Sequence, residues 1–186
     1  TDTDTDTDTD TDTDTDTSLN SGSYGWEDEG TYLGTYGNVD TESSVATDAM
    51  AYSGTYSLAF VEPADSTGTP QVFLAAVDGL QDGDQVTAGF WRYDDTSGDP
   101  NSRIWAHYND DIAGDISGYD GSAGGNTDYG EETGWEYQEH TWTMEDGHTG
   151  LVIEGRIYTD ASGGTIYIDD ISVTAPAGTT IYFPGD

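Results

Sequence analysis

The chain has 186 residues, of which 38 are Asp or Glu, three are Arg and none is Lys or Cys, for a formal charge of −35. That balance excludes nucleic acid as a partner, because phosphate binding draws on a basic surface. The missing cysteines exclude a disulfide framework, a zinc–thiolate site and a cysteine nucleophile.

Residues Thr1 to Thr17 are a strict Thr-Asp repeat holding eight of the acids, so −35 less these eight leaves −27 on the remaining 169 residues. Such a segment cannot bury apolar surface, and its like charges extend it. It reads as a linker, disordered or extended, that tethers the chain to other domains of a larger secreted protein. The alternation also places every Thr on one face and every Asp on the other. The repeat therefore fits a second role, as a strand donated to another subunit's sheet edge in self-assembly. The chain starts without Met and shows no signal peptide, so it is expected to be a processed or excised segment. No run of about 18 apolar residues marks a membrane span. Acidity with Lys removed is what a high-salt environment favours, because salt screens repulsion among hydrated carboxylates. The competing explanation is an extracellular, calcium-rich setting in which acidic loops hold ions.

From Ser18 onward the pattern is all-β. Val86–Tyr93 alternates, with Val86, Ala88 and Phe90 opposed to Thr87, Gly89, Trp91 and Tyr93. Arg103–Tyr108 and Leu151–Tyr158 alternate in the same way, and shorter strands are expected at Ser57–Val61, Gln71–Ala76, Glu136–Thr143 and Thr165–Val173. Gly-, Asp- and Ser-rich turns separate these segments, and none carries a helical period. Eight or nine short strands predict a two-sheet antiparallel β-sandwich over residues 23–175. A linker at 1–22 and a tail at 176–186 would flank it. Residues 109–132, with six Gly, five Asp and two Glu, read as a long loop between strands.

Each arginine lies in an aromatic-rich strand: Phe90-Trp91-Arg92-Tyr93, Arg103-Ile104-Trp105 and Gly155-Arg156-Ile157-Tyr158. A guanidinium beside Trp and Tyr offers a fork of donors next to a flat stacking surface, which suits sugars. The alternative reading is that the arginines neutralise nearby carboxylates. If Phe90, Ile104 and Ile157 face the core and the three strands share one sheet, Trp91, Tyr93, Arg103, Trp105, His107, Glu154, Arg156 and Tyr158 form one polar-aromatic surface. Trp26 and Trp135 are assigned to the core.

Four segments carry a resemblance: Trp26-Glu27-Asp28-Glu29-Gly30, Tyr52-Ser53-Gly54-Thr55-Tyr56-Ser57-Leu58, Gly134-Trp135-Glu136-Tyr137, and Gly164 to Val173 with its Ile168-Asp169-Asp170-Ile171-Ser172-Val173 close. In this order, the stretch Tyr24–Val173 resembles the calcium-associated jelly-roll carbohydrate-binding modules found beside glycoside hydrolases and polysaccharide lyases. The resemblance implies a structural Ca2+ site where the first and last strands meet, at Glu27 and Asp169. Asp28 or Asp170 is a substitute for either ligand, and the alternative to the calcium reading is that Glu27 and Asp169 are solvated strand-end charges. Glu29 departs from the pattern by intervening before Gly30, so a bulge or shifted ligand is expected there.

Catalysis finds little in the chain. His107, His140 and His148 have no metal-binding spacing, and the Glu-x-Asp-x-x-Glu signature of jelly-roll hydrolases is absent. The leading expectation is a non-catalytic, extracellular module that binds a polysaccharide. Two alternatives stand beside it: a structural or adhesive subunit assembling through residues 1–17, and a jelly-roll polysaccharide lyase using His107-Tyr108 near Arg103.

Overall fold

The computed structural model describes residues 18–65, 68–95, 100–130, 132–158 and 163–185. The Thr-Asp repeat, with the linker and donor-strand expectations attached to it, lies outside the described residues. Among these residues are β1 (Leu19–Tyr24), β2 (Gly34–Tyr36), β3 (Ala46–Thr47), β4 (Ser57–Val61), β5 (Gln71–Asp78), β6 (Gln85–Asp94), β7 (Asn101–Tyr108), β8 (Gly121–Gly125), β9 (Gly134–Thr143), β10 (Gly150–Tyr158), β11 (Thr165–Pro176) and β12 (Thr180–Tyr182).

The strands form two antiparallel six-stranded sheets. The first runs β3-β4-β11-β6-β9, with β1 also on β11; the second runs β12-β5-β10-β7-β8, with β2 also on β5. The fold is the expected all-β sandwich. No helix among the described residues is long and apolar enough to cross a membrane.

Alternation builds the core. Val86, Ala88 and Phe90 of β6, Ile104 and Ala106 of β7, Leu151, Ile153 and Ile157 of β10, and Ile166, Ile168, Ile171 and Val173 of β11 all point between the sheets and are buried. In β5 the register against β10 slips between Ile153 and Glu154. Val72, Leu74, Ala75 and Val77 therefore face the core, while Phe73 and Ala76 face outward into a second apolar cluster with Val152 and Ile112. This bulge leaves β5 buried on both faces and aims Phe73 at the outer side of the second sheet.

Two boundaries differ from expectation. Residues 19–22, read as linker, belong to β1 and pair with Val173–Pro176. Within 176–186, read as tail, Thr180–Tyr182 forms β12 on the edge of β5. Both segments lack an apolar run long enough to register as strands. Their backbone groups are satisfied by a neighbouring edge rather than by a buried face.

Candidate functional site

The predicted surface divides between two faces. β6 belongs to the first sheet, whereas β7 and β10 are neighbours in the second. Arg103, Trp105, His107, Glu154, Arg156 and Tyr158 therefore share the outer side of the second sheet, and Trp91 and Tyr93 lie on the opposite side of the molecule. Alternation fixes the face of a strand but not the sheet it joins, and that ambiguity separated these residues.

On the second sheet, Arg103 stands opposite Arg156 and Trp105 opposite Glu154. The two guanidinium carbons each lie 4.6 Å from the centre of the Trp105 ring, so one indole takes two cations on its π system. Arg103 Nη1 donates to the Tyr129 hydroxyl at 2.9 Å and Nη2 to the Asn126 carbonyl. Arg156 Nε donates to Glu154 Oε2 at 2.6 Å. The other Glu154 oxygen bonds His107 Nδ1, and His107 Nε2 lies 3.1 Å from the Gly118 carbonyl. Glu154 is only 1% exposed. It thus positions Arg156 and His107 and does not itself face a ligand. Trp105 Nε1 donates to Ser122 Oγ at 3.1 Å, which ties β7 to β8.

Beside this array lies a cleft of about 450 Å³ lined by Tyr36, Gln71, Phe73, His107, Ser117, Tyr119, Ser122 and Arg156. Residues 117–122, within the segment expected as one long loop but running into β8, supply one wall. Ile112 and Ile116 of that segment pack on Val152 and Phe73, and Asn109 closes the turn by donating to the Asp115 carbonyl at 2.8 Å. That packing leaves Tyr119 66% exposed at the rim. Sequence reasoning missed Tyr36, Gln71, Phe73, Ser117, Tyr119 and Ser122. Gln71 and Phe73 share strand parity and were within reach of it. The others come from short or glycine-rich elements that carry no period.

The outer side of the first sheet bears a different aromatic array. Tyr52 stacks on Trp91 at 4.0 Å and meets Trp135 edge-on at 5.5 Å. Trp91 lies against Tyr137, and Tyr93 against Trp135 and Tyr167. Trp135, expected in the core, is a partly exposed member of this array, whereas Trp26 is fully buried as expected.

Glu27 and Asp169 both grip the segment 52–56. Glu27 Oε1 accepts from the amides of Thr55 and Tyr56 at 2.8 and 3.0 Å. Asp169 Oδ2 accepts from Tyr52 and Ser53 at 2.8 and 3.1 Å, and Oδ1 from Asp170 at 2.7 Å. Gly54, at φ 61, passes so close that a Cβ there would lie 2.3 Å from Glu27 Oε1. The extra residue Glu29 is absorbed by a tight turn: it has φ 60, and its amide donates to the Trp26 carbonyl at 2.9 Å. Asp169 is fully buried. Burial pushes its carboxyl up from the ordinary value, against the backbone amides of Ser53, Tyr52 and Asp170, which pull it down. Among the described residues no group of three or more His, Cys, Asp or Glu side chains converges on one point. Glu27 and Asp169 share only the donor type, carboxylate oxygen, that a hard cation takes, and both are already engaged with backbone amides of 52–56.

The chain has the fold of carbohydrate-binding modules. It superimposes on the CBM22-1 xylan-binding domain of Paenibacillus barcinonensis with a TM-score of 0.55 and 17% identity, over 82% of this chain and 92% of that one. The tandem CBM22-1–CBM22-2 domain of the same organism gives 0.56 and 17%, over 82% of this chain and 44% of that one. The CBM22-1–GH10 modules of a Clostridium thermocellum endo-1,4-β-D-xylanase, solved with xylohexaose, give 0.52 and 12%, over 87% and 27%. No family model matches the chain, and no curated protein does. At these identities the likeness establishes the fold.

Proposed function

We propose that this protein is a non-catalytic carbohydrate-binding module that takes an extracellular polysaccharide in the cleft on its second sheet. The observation that carries the reading is the cleft itself, where Tyr36, Phe73 and Tyr119 offer ring surface and Gln71, Ser117, Ser122 and Arg156 offer hydrogen-bonding groups. Few convergent polar groups on an apolar floor is the makeup of a small-ligand site. That modules of the same fold are described as xylan-binding and as complexed with xylohexaose supports the reading. Secretion and attachment to other domains follow from it as part of the same proposal. A lyase is disfavoured by His107, which is 2% exposed with both ring nitrogens facing acceptors, so no free imidazole edge is left to take a substrate proton.

The test is affinity electrophoresis against a panel of soluble plant and microbial polysaccharides, with the full chain and with residues 1–17 deleted. Retarded migration by both forms on at least one polymer is expected. Binding of none by either form removes the reading. Loss of binding only on deletion transfers the function to the tail.

Calcium belongs to the proposal as a structural ion held by Glu27 and Asp169, where it would offset the charge of a carboxylate cut off from water. Because burial raises the Asp169 pKa, the folded protein binds its proton more readily than the unfolded chain. Stability therefore falls as pH rises through the window between the two values, and the ionised group costs stability above it. A cation that needs the ionised carboxylate should stabilise at pH 7 and lose its effect toward the ordinary Asp value. At a hundredfold excess over Kd the gain is about 2.7 kcal/mol. Melting curves with calcium and with a chelator, at both pH values and fixed ionic strength, measure it. Coincident curves at pH 7 would remove calcium from the account.

A further inference from the structure

We infer that the cleft on the second sheet takes a carboxylate-bearing glycan, with the Nη1–Nη2 edge of Arg156 as the fork that reads one carboxylate. This rests on the glycan-binding reading above and narrows it to a ligand class.

The first ground is the makeup of the lining. In a chain with 38 acids and three arginines, the eight described residues that line the cleft include one arginine and no acid. The second is the charge balance behind it. Buried Arg92 pairs with two carboxylates, Asp94 and Glu136. Arg103 and Arg156 together have only Glu154 among the described residues, and Glu154 is shared with His107. Arg103 meets neutral oxygens alone, at Tyr129 and Asn126. Two cations on one indole with one shared carboxylate leave a local positive excess inside a strongly negative protein.

The third ground is how the Arg156 head is held. Its Nε is fixed by a buried carboxylate and its Cζ lies 4.6 Å from the centre of the Trp105 ring. Nη1 and Nη2 carry no partner among the described residues, and the side chain is 15% exposed at the cleft wall. A guanidinium anchored through Nε and a ring face has one edge left to offer, and two parallel N–H groups match a carboxylate bidentately. Restraint before binding lowers the ordering cost of making that contact. Gln71, Ser117 and Ser122 then remain for the sugar hydroxyls.

The experiment measures Kd for polygalacturonate, polymannuronate and glucuronoxylan, each against its own carboxyl-reduced polymer, at one salt level that screens bulk repulsion. The wild-type chain should bind at least one acidic polymer about tenfold or more tightly than its reduced form, as expected for a charge-assisted bidentate contact. Arg156→Lys, which keeps the charge and loses the fork, should fall to the affinity of the reduced polymer. If that variant fails to fold, displacement of the bound polymer from the wild-type chain by galacturonate but not by galactose reads the same preference. Equal affinity for each acidic polymer and its reduced form, or binding of neutral polymers alone, overturns the inference and leaves glycan binding standing. Binding of no polymer, acidic or neutral, overturns both.

Discussion

Replacing Arg92 by methionine is expected to destabilise the protein by about 3–5 kcal/mol, the cost of leaving a buried charge without its partner. Arg92 is 0% exposed and points between the sheets with Phe90, in phase with the core. Its Nη1 donates to Asp94, itself 2% exposed, and its Nη2 to Glu136 at 2.8 Å. The chain folds over it through Gly130, where a Cβ would lie 2.3 Å from Arg92 Nε, so even alanine there would push on the guanidinium. Methionine fills much of the space but breaks the ion pair to Asp94, which is 2% exposed. Glu136 is a quarter exposed and can turn to solvent. For a domain of this size the melting temperature should drop on the order of 10 °C. Replacing Asp94 by leucine in the same chain should recover most of the loss, because an apolar pair of similar volume often matches a buried ion pair. A single variant as stable as the parent would mean that the pair does not hold this end of the sandwich.

Trp105→Ala should weaken polysaccharide binding by about 2 kcal/mol or more, roughly thirtyfold, as for loss of the group that holds a central binding arginine in place. The indole carries Arg103 and Arg156 and fixes Ser122, so its loss unseats two residues of the cleft lining, Arg156 and Ser122. Being only partly buried, it should cost less stability than Trp26→Ala, for which removal of a fully buried indole predicts about 3–5 kcal/mol. Trp91→Ala on the opposite sheet provides the contrast and should bind like the parent. Titration of the three variants against the best polymer, with a melting curve for each, separates contact from packing. If Trp91→Ala lost binding and Trp105→Ala did not, the site would lie on the first sheet.

Period-2 alternation was enough to read the central strands and their faces, because Phe90, Ile104, Ile153 and Ile157 must leave water and their neighbours need not. The bounds of Ser57–Val61 are those of β4. What alternation could not carry was partnership. Nothing local says that β6 pairs with β9 and β11 while β7 pairs with β10. The Arg92 side chain shows the same limit from another angle. Its parity with Phe90 pointed inward, yet the carboxylates that make burial tolerable come from Asp94 two residues on and from Glu136 on another strand. Half of the cleft was equally hidden. Tyr36 ends a three-residue strand, and Ser122 sits in the Gly-Ser-Ala-Gly-Gly edge of β8, where low β-propensity is overridden by pairing with β7.

The way β1 leaves the sandwich sets how the domain responds to force. Leu19 pairs with Pro176 and Tyr24 with Ile171, so the outer ends of the two strands lie side by side. The Asn20 side chain, which donates to the Thr179 carbonyl at 2.9 Å, spans that same end. Phe183 lies against Gly22 and Tyr24 of β1, so tension between residue 18 and residue 183 must break that packing and the pairing of β12 with Ala76–Asp78 before it reaches the open end of β1. It then opens β1 from β11 one hydrogen-bonded pair at a time, rather than loading all the rungs together. A ladder loaded in this peeling direction yields at low force. A domain loaded by flow or by a moving partner would therefore shed β12 and β1 before the β7–β10 pair opens, and Phe73 beside the cleft would lose Tyr182 at the first step.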